Sequence, residues 1–283
     1  MIYHPDYTVT PWPPHHRFVM SKFADTAAHL TATGLVPATH WTRPSAPPRS
    51  ALLAVHDAAY VDAFLSGTLS PTAERRIGFR GLWSPALVQR TVLEVGGTAT
   101  TAAAALTAGL ACHVGGGTHH AHPGWGSGFT ILNDLAVTAR ALVAPGGGGV
   151  DRLLIVDADV HQGDGTAAVF AAPDGTDDDA YLATLAGVLP PILAAFRPEL
   201  VLYDAGVDVA AVDALGRLCL TDAGIYARDV AVMEAALGAG APVATVIGGG
   251  YAARRTALAA RHAIVFRAAV DVWRRLGVGG MRW

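Results

Sequence analysis

Short β-type apolar runs alternate with longer helical stretches along the chain. The runs LACHV (110–114), RLLIVD (152–157), ELVLYD (199–204) and PVATVIG (242–248) read as strands. Helical stretches fill the intervals near 131–143, 180–196, 222–238 and 253–274. A mostly alanine segment at 99–114, broken by threonine and glycine, reads as a buried helix followed by a strand. The alternation predicts an α/β fold, an open parallel sheet with helices on both faces. The stretch APGGGGVD (144–151) predicts a flexible surface loop between helix and strand. With no internal repeat and no dividing linker, residues 1–283 are expected to form one domain.

Each strand runs directly into an unusual polar or glycine-rich segment: GGGTHHAH after the first, ADVHQGDG after the second, AGVD after the third and GGGY after the fourth. Ligands of open parallel sheets bind at the carboxyl ends of the strands, so four such segments on one edge describe a site. In VDADVHQGDG (156–165), Asp157, Asp159 and His161 alternate at period two and face the same way while the chain stays extended. Carboxylates and imidazole facing one another are good ligands for a divalent ion. Asp208, just past the third strand, completes an Asp/His/Asp set with Asp159 and His161. Three protein ligands leave a coordination position open, the mark of a catalytic rather than a structural zinc site.

The adjacent His119 and His120 converge on one small region only where a loop turns both inward. An imidazole of near-neutral pKa suits both proton transfers of amide hydrolysis, one from the attacking water and one to the leaving amine. Asp157 and Asp164 can each accept the far N–H of one histidine, fixing its tautomer and orientation. Tyr251, after three glycines, can donate to the oxyanion opposite the metal.

Composition narrows the alternatives. The 283 residues are 52% hydrophobic and 15% charged, which suits a large buried core and argues against disorder. The net charge is −3 and Lys22 is the only lysine among 20 basic residues, so nothing calls for a nucleic-acid partner. A mean hydropathy of +0.35 raises the membrane question. No uninterrupted apolar run reaches the roughly 18 residues a bilayer needs, so no membrane span is expected. The N-terminus carries neither the basic nor the apolar region of an export signal. Cys112 and Cys219 both sit in apolar sequence, which predicts two buried thiols and a cytoplasmic protein. A phosphate-binding G-x-x-x-x-G-K-[ST] loop is absent, GWGSGF (124–129) has the wrong spacing for a dinucleotide fingerprint, and no G-x-S-x-G elbow follows a strand.

Four motifs, GGGTHHAHPGWGSGFTILND (115–134), VDADVHQGDGT (156–166), DAGVDVAAVDALGRLCLT (204–221) and GGGYAARRTA (248–257), resemble the histone deacetylase superfamily with its arginase/deacetylase α/β fold. The N-terminal HRFVMSKF (16–23) and VHDAAYVDAFLSG (55–67) look most like the class IV branch and its bacterial relatives. The resemblance covers nearly the whole chain. It implies zinc held by Asp159, His161 and Asp208, His120 as general base and acid, and His119 as its electrostatic partner. It also implies Asp157 and Asp164 as their carboxylates, and Tyr251 as the phenol that polarises the carbonyl. Gly128 and Phe129 match the hydrophobic tunnel wall that holds an acyl-lysine stem, and backbone carbonyls around 157–161 match a site for a structural K+ or Na+. One departure concerns the segment after GDGT. The family usually has a further strand and loop there, with the opposite aromatic wall of the tunnel and part of the cation site. Here 167–185 passes straight from one helix to the acidic lead-in of the next.

The expected function is therefore a zinc-dependent amidohydrolase that removes an acetyl or longer fatty acyl group from an acylated amine, foremost a lysine side chain. An acetylpolyamine or small-molecule deacylase of the same fold is one rival. It calls for an acidic entrance, to which Asp177, Asp178 and Asp179 are candidates, and often for a dimer-restricted channel. A metal-binding module without turnover is another. A two-metal manganese ureohydrolase would need more carboxylates and histidines than these segments supply. The subunit number is not legible in the sequence.

Overall fold

The computed structural model describes residues 1–143, 149–166 and 174–277, beginning with helices α1 (Lys22–Ala32), α2 (Arg49–Leu53), α3 (Ala58–Ser66) and α4 (Pro71–Ile77). Four short strands, β1 (Leu110–Cys112), β2 (Leu153–Asp157), β3 (Leu200–Asp204) and β4 (Val243–Val246), form one sheet in the order β1-β4-β3-β2, every pair parallel. All four lie within the runs read as strands. The glycine-rich loop expected at 144–151 falls mostly outside the described residues.

Alternation along the strands explains why both faces are covered. Val201 and Tyr203 of β3 join one core, with Val232 and Met233 of helix α8 (Asp222–Gly238) and Val265 and Phe266 of α9 (Arg255–Leu276). Leu200 and Leu202 of the same strand join a second core, with Ala102 and Ala105 of α5 (Pro85–Ala108) and Leu135 of α6 (Asp134–Val143). Successive side chains of a strand point to opposite faces, so an uninterrupted apolar strand requires a helical layer on each side. Helix starts follow the expected capping chemistry: Ser84 accepts from Leu87 N ahead of α5, and Thr221 accepts from Gly224 N ahead of α8.

Asp177 does the same for α7 (Asp178–Phe196), and Asp178 accepts from the Thr221 amide and hydroxyl. Two of the three acids considered for an entrance are thus committed to helix ends.

One expectation is corrected. Cys112 is buried but Cys219 is exposed, because Leu218 and Leu220 on either side take the inward positions. Helix α7 is long and apolar enough, by length and composition, to cross a membrane. Its buried residues Tyr181, Leu185, Leu189 and Leu193 recur at i, i+4 and give it one inward stripe, and it packs against α8.

Candidate active site

The carboxyl ends of the strands lie side by side, with Asp157 of β2 in register with Asp204 of β3. The loop after β1 carries His119 and His120. Gly117 lets it approach: its φ of +81° is left-handed, and a Cβ there would come within 2.6 Å of the Gly248 Cα. Asp134, the first residue of α6, then pins the loop by accepting from the Gly117 and Thr118 amides and the Thr118 hydroxyl. Asn133 caps α6 by accepting from Ala136 N, while its amide donates to Ala121 O and Thr166 Oγ1. The two histidines are thereby turned into one space, with ring centroids 4.2 Å apart.

Each histidine has its own carboxylate. His119 Nδ1 lies 2.8 Å from Asp157 Oδ2, both buried, and His120 Nδ1 lies 2.7 Å from Asp164 Oδ1. Asp164 is shared, because its second oxygen lies 3.1 Å from His122 Nε2. Both histidines line the pocket, and His119 Nε2 lies 3.9 Å from Asp159 Oδ1. Burial works against a charge on His119, yet the Asp159, Asp157 and Asp204 carboxylates outweigh it and hold its pKa well above the usual range. Burial and the neighbouring His119 push His120 below its ordinary value.

Asp159, His161 and Asp208 bring one donor atom each to within 4.8 Å of one another. His161 Nδ1 sits 3.1 Å from Asp159 Oδ1 and 3.0 Å from Asp208 Oδ2, so both carboxylates already converge on a single point. Burial raises the pKa of Asp208 to about 7, the nearby Asp159 adding to it. Two buried carboxylates and an imidazole aimed at one point form a donor set that fits a divalent cation. Gly249 closes the other side, where an added Cβ would collide with the Asp159 and Asp208 carboxylates.

Asp157 does not join that set. β2 ends at Asp157 and the chain turns, with Asp159 Oδ1 accepting from the amide of His161, so the period-two alternation stops before it can align all three. Asp157 instead belongs to a second buried group with His119 and Asp204. The carboxylate oxygens of Asp204 have no hydrogen-bond partner among the described residues, and no role was read for this residue in the sequence. The segments therefore hold more potential ligands than the sequence reading counted.

Tyr251 lines the same pocket, its ring 6.2 Å from that of His161. Its amide donates to Asp213 Oδ2, which fixes the loop after Gly249. Burial raises the phenol pKa, and Asp208 and Asp159 add to that, so it stays a donor. Gly128 packs on His120, and Phe129, with φ of +65°, places its ring against Phe18, Phe79, His16 and Tyr251.

Several residues at the site went unread in the sequence. Lys22 is buried and donates to Gly248 O at 2.8 Å. Arg90 and Glu94 form a buried pair at 2.8 Å, and all three line the pocket with His120 and Tyr251. Arg228, fully buried on α8, donates to the Ala158, Ala205 and Gly206 carbonyls and to Asp229. Its guanidinium thus takes one of the carbonyls expected to hold a monovalent cation. The signal was present, since Lys22 is the sole lysine and Arg90 and Glu94 stand at i, i+4, but such residues on helices ordinarily mark a solvated face.

An α/β sheet whose strand ends gather two histidine–carboxylate pairs, an Asp/His/Asp group that could hold a metal ion and a phenol has the parts of a hydrolase site. The family model described as the histone deacetylase domain matches residues 16–174 and 170–266. The chain belongs to the histone deacetylase family, and membership supports deacetylase activity in general. An uncharacterized protein of Picosynechococcus sp. is 46% identical over 301 residues, covering 96% of this chain and 99% of that one. Histone deacetylase 2 of Arabidopsis thaliana is 28% identical, covering 83% and 70%. Acetoin utilization protein AcuC of Staphylococcus aureus is 30% identical over 41% of this chain and 39% of its own. The crystal structure of the HDA15 HD domain superposes with a TM-score of 0.75 at 22% identity, covering 96% and 94%, and shows the fold.

The 301-residue alignment exceeds the length of this chain, so the cyanobacterial relative carries residues with no counterpart here. The family match breaks in two at residues 170–174, the place where the sequence departs from the family pattern.

Proposed function

We propose that this protein is a zinc-dependent deacylase that hydrolyses a short acyl group from an acylated amine, with an acyl-lysine side chain as the preferred substrate. The observation that carries the reading is the meeting of Asp159, His161 and Asp208 with His120 and Tyr251 around one pocket. A zinc ion held by those three residues supplies, when bound, a Lewis acid for the amide carbonyl and acidifies water. His120, neutral because its pKa is lowered, takes a proton from the attacking water through Nε2 and afterwards hands one to the departing amine. Asp164 holds its ring by Nδ1. The Tyr251 hydroxyl donates to the amide oxygen as negative charge develops on it. His119, held by Asp157 on the buried side, carries positive charge toward the same space.

The floor of the pocket favours a short acyl chain. The whole pocket has a cavity volume of about 30 Å3, and Lys22 and the buried Arg90–Glu94 pair line it with charge. A fatty chain would have to displace buried ions, whereas an acetyl group fits against them.

The test is hydrolysis of one lysine peptide carrying acetyl, octanoyl or myristoyl in turn, alongside acetylated polyamines, with zinc content measured. The reading expects acetyl turnover that Tyr251→Phe lowers about 100- to 1000-fold. Stoichiometric zinc without turnover of any substrate would instead favour the metal-binding module.

A further inference from the structure

We propose that the mouth of this site selects acyl-lysines set among acidic residues, an inference that rests on the deacylase reading above. A cavity of about 660 Å3 adjoins the pocket, with Phe18 and Tyr251 lining both. Such a volume takes several residues of a peptide. Its walls come from the N-terminal segment 8–21, from Ala214 and Leu215, and from residues 251–255.

Besides the Tyr251 phenol, the ionisable residues lining it are His15, His16, Arg17 and Arg255, with no carboxylate among them. The chain as a whole is acidic, at −3, so this composition is local to the mouth. Arg17 is exposed and has no hydrogen-bond or charge partner among the described residues. Arg255 Nε reaches Asp25 Oδ2 at 3.2 Å but its side chain stays 60% exposed. The nearby Asp213 carboxylate is turned away and taken up by the Leu215, Gly216 and Tyr251 amides. His16 Nδ1 accepts from Phe18 N while Nε2 faces Gly78 O, which fixes that ring as a wall of the mouth. Trp12 packs edge-on against His16 and Phe18 and adds an aromatic surface.

A carboxylate one or two residues from the acyl-lysine would meet unopposed guanidinium there, whereas a basic flank or a polyamine chain would meet like charge. Charge matching of this kind acts on encounter and on rejecting the wrong partner, and salt weakens it.

The experiment uses matched acetyl-lysine peptides with acidic, neutral or basic flanks. Hydrolysis is followed as kcat/KM at low and high salt, and binding to the His120→Ala protein is followed by fluorescence anisotropy. The expected result is a roughly tenfold preference for the acidic over the basic peptide, shrinking in high salt and lost or reversed in Arg17→Glu. Arg17→Gln, milder at an exposed position, is expected to reduce the preference partway. Equal rates for all three peptides, or a preference for the basic one, would overturn the inference while leaving the deacylase reading intact. If no peptide is hydrolysed but the acidic one binds most tightly, the mouth is as proposed and the reaction is not. If none is hydrolysed and binding ignores charge, both fail.

Discussion

Replacing Asp164 by asparagine isolates the contribution of one carboxylate to the proposed base. Asp164 accepts from His120 Nδ1 at 2.7 Å and shares its other oxygen with His122, yet its side chain is 47% exposed. Solvent screening therefore limits the charge effect to about 0.2–1 kcal/mol. At about 1.4 kcal/mol per pH unit, the His120 pKa falls by roughly half a unit. His120 must be neutral to accept a proton, so kcat/KM rises with pH through its folded pKa, which burial and His119 already hold below the ordinary value. Asp164→Asn is expected to move that acid limb to lower pH. The plateau should drop about tenfold, because the asparagine amide no longer enforces the Nδ1–H tautomer. The assay is a pH profile of acetyl-lysine peptide hydrolysis at constant ionic strength. A limb that moves to higher pH, or a plateau equal to that of the unaltered protein, would refute the assignment of His120 as the base oriented by Asp164.

Tyr251→Phe should cost about 100- to 1000-fold in kcat while bound zinc, measured by atomic emission, stays stoichiometric. Gly249→Ala drives a methyl group into the Asp159 and Asp208 carboxylates, so zinc stoichiometry should fall even where circular dichroism is unchanged. Arg228→Met removes the cation paired with Asp229, leaving that carboxylate only the Tyr203 hydroxyl, and takes the buried donor from three carbonyls, so it should cost about 3–5 kcal/mol in urea denaturation. His113, buried against Tyr7 and Thr98, is pushed down to about 3 by burial and stays neutral when folded. The unfolded chain takes up that proton near pH 6.5, so stability falls as pH drops from about 6.5 toward 3, at about 1.4 kcal/mol per unit for this group. His113→Gln should flatten the slope of denaturation free energy against pH by that amount.

The parts of the fold that local pattern controls were legible in the chain. Strands lay inside the runs 110–114, 152–157, 199–204 and 242–248, and their continuous apolar character required helices on both faces, as the two cores on either side of β3 show. The meeting of Asp159, His161 and Asp208 was legible because each follows a strand end, and parallel strand ends share one edge of the sheet. The division of labour between Asp157 and Asp159 was not. It depends on where β2 stops, and a one-residue difference in a strand end reverses the direction of a side chain.

Sequence by itself determined the α/β class, the edge on which the chemistry gathers and the residue types available to hold a metal and move a proton. Tertiary structure alone decided which buried charges meet. Lys22 reaches Gly248 across 226 residues, Asp134 pins the histidine loop from the start of α6, and Arg228 ties the ends of β2 and β3 together from α8. Periodicity records only whether a position faces inward. The partner that compensates a buried charge is chosen by whichever distant element packs against it, and that choice leaves no mark on the local pattern.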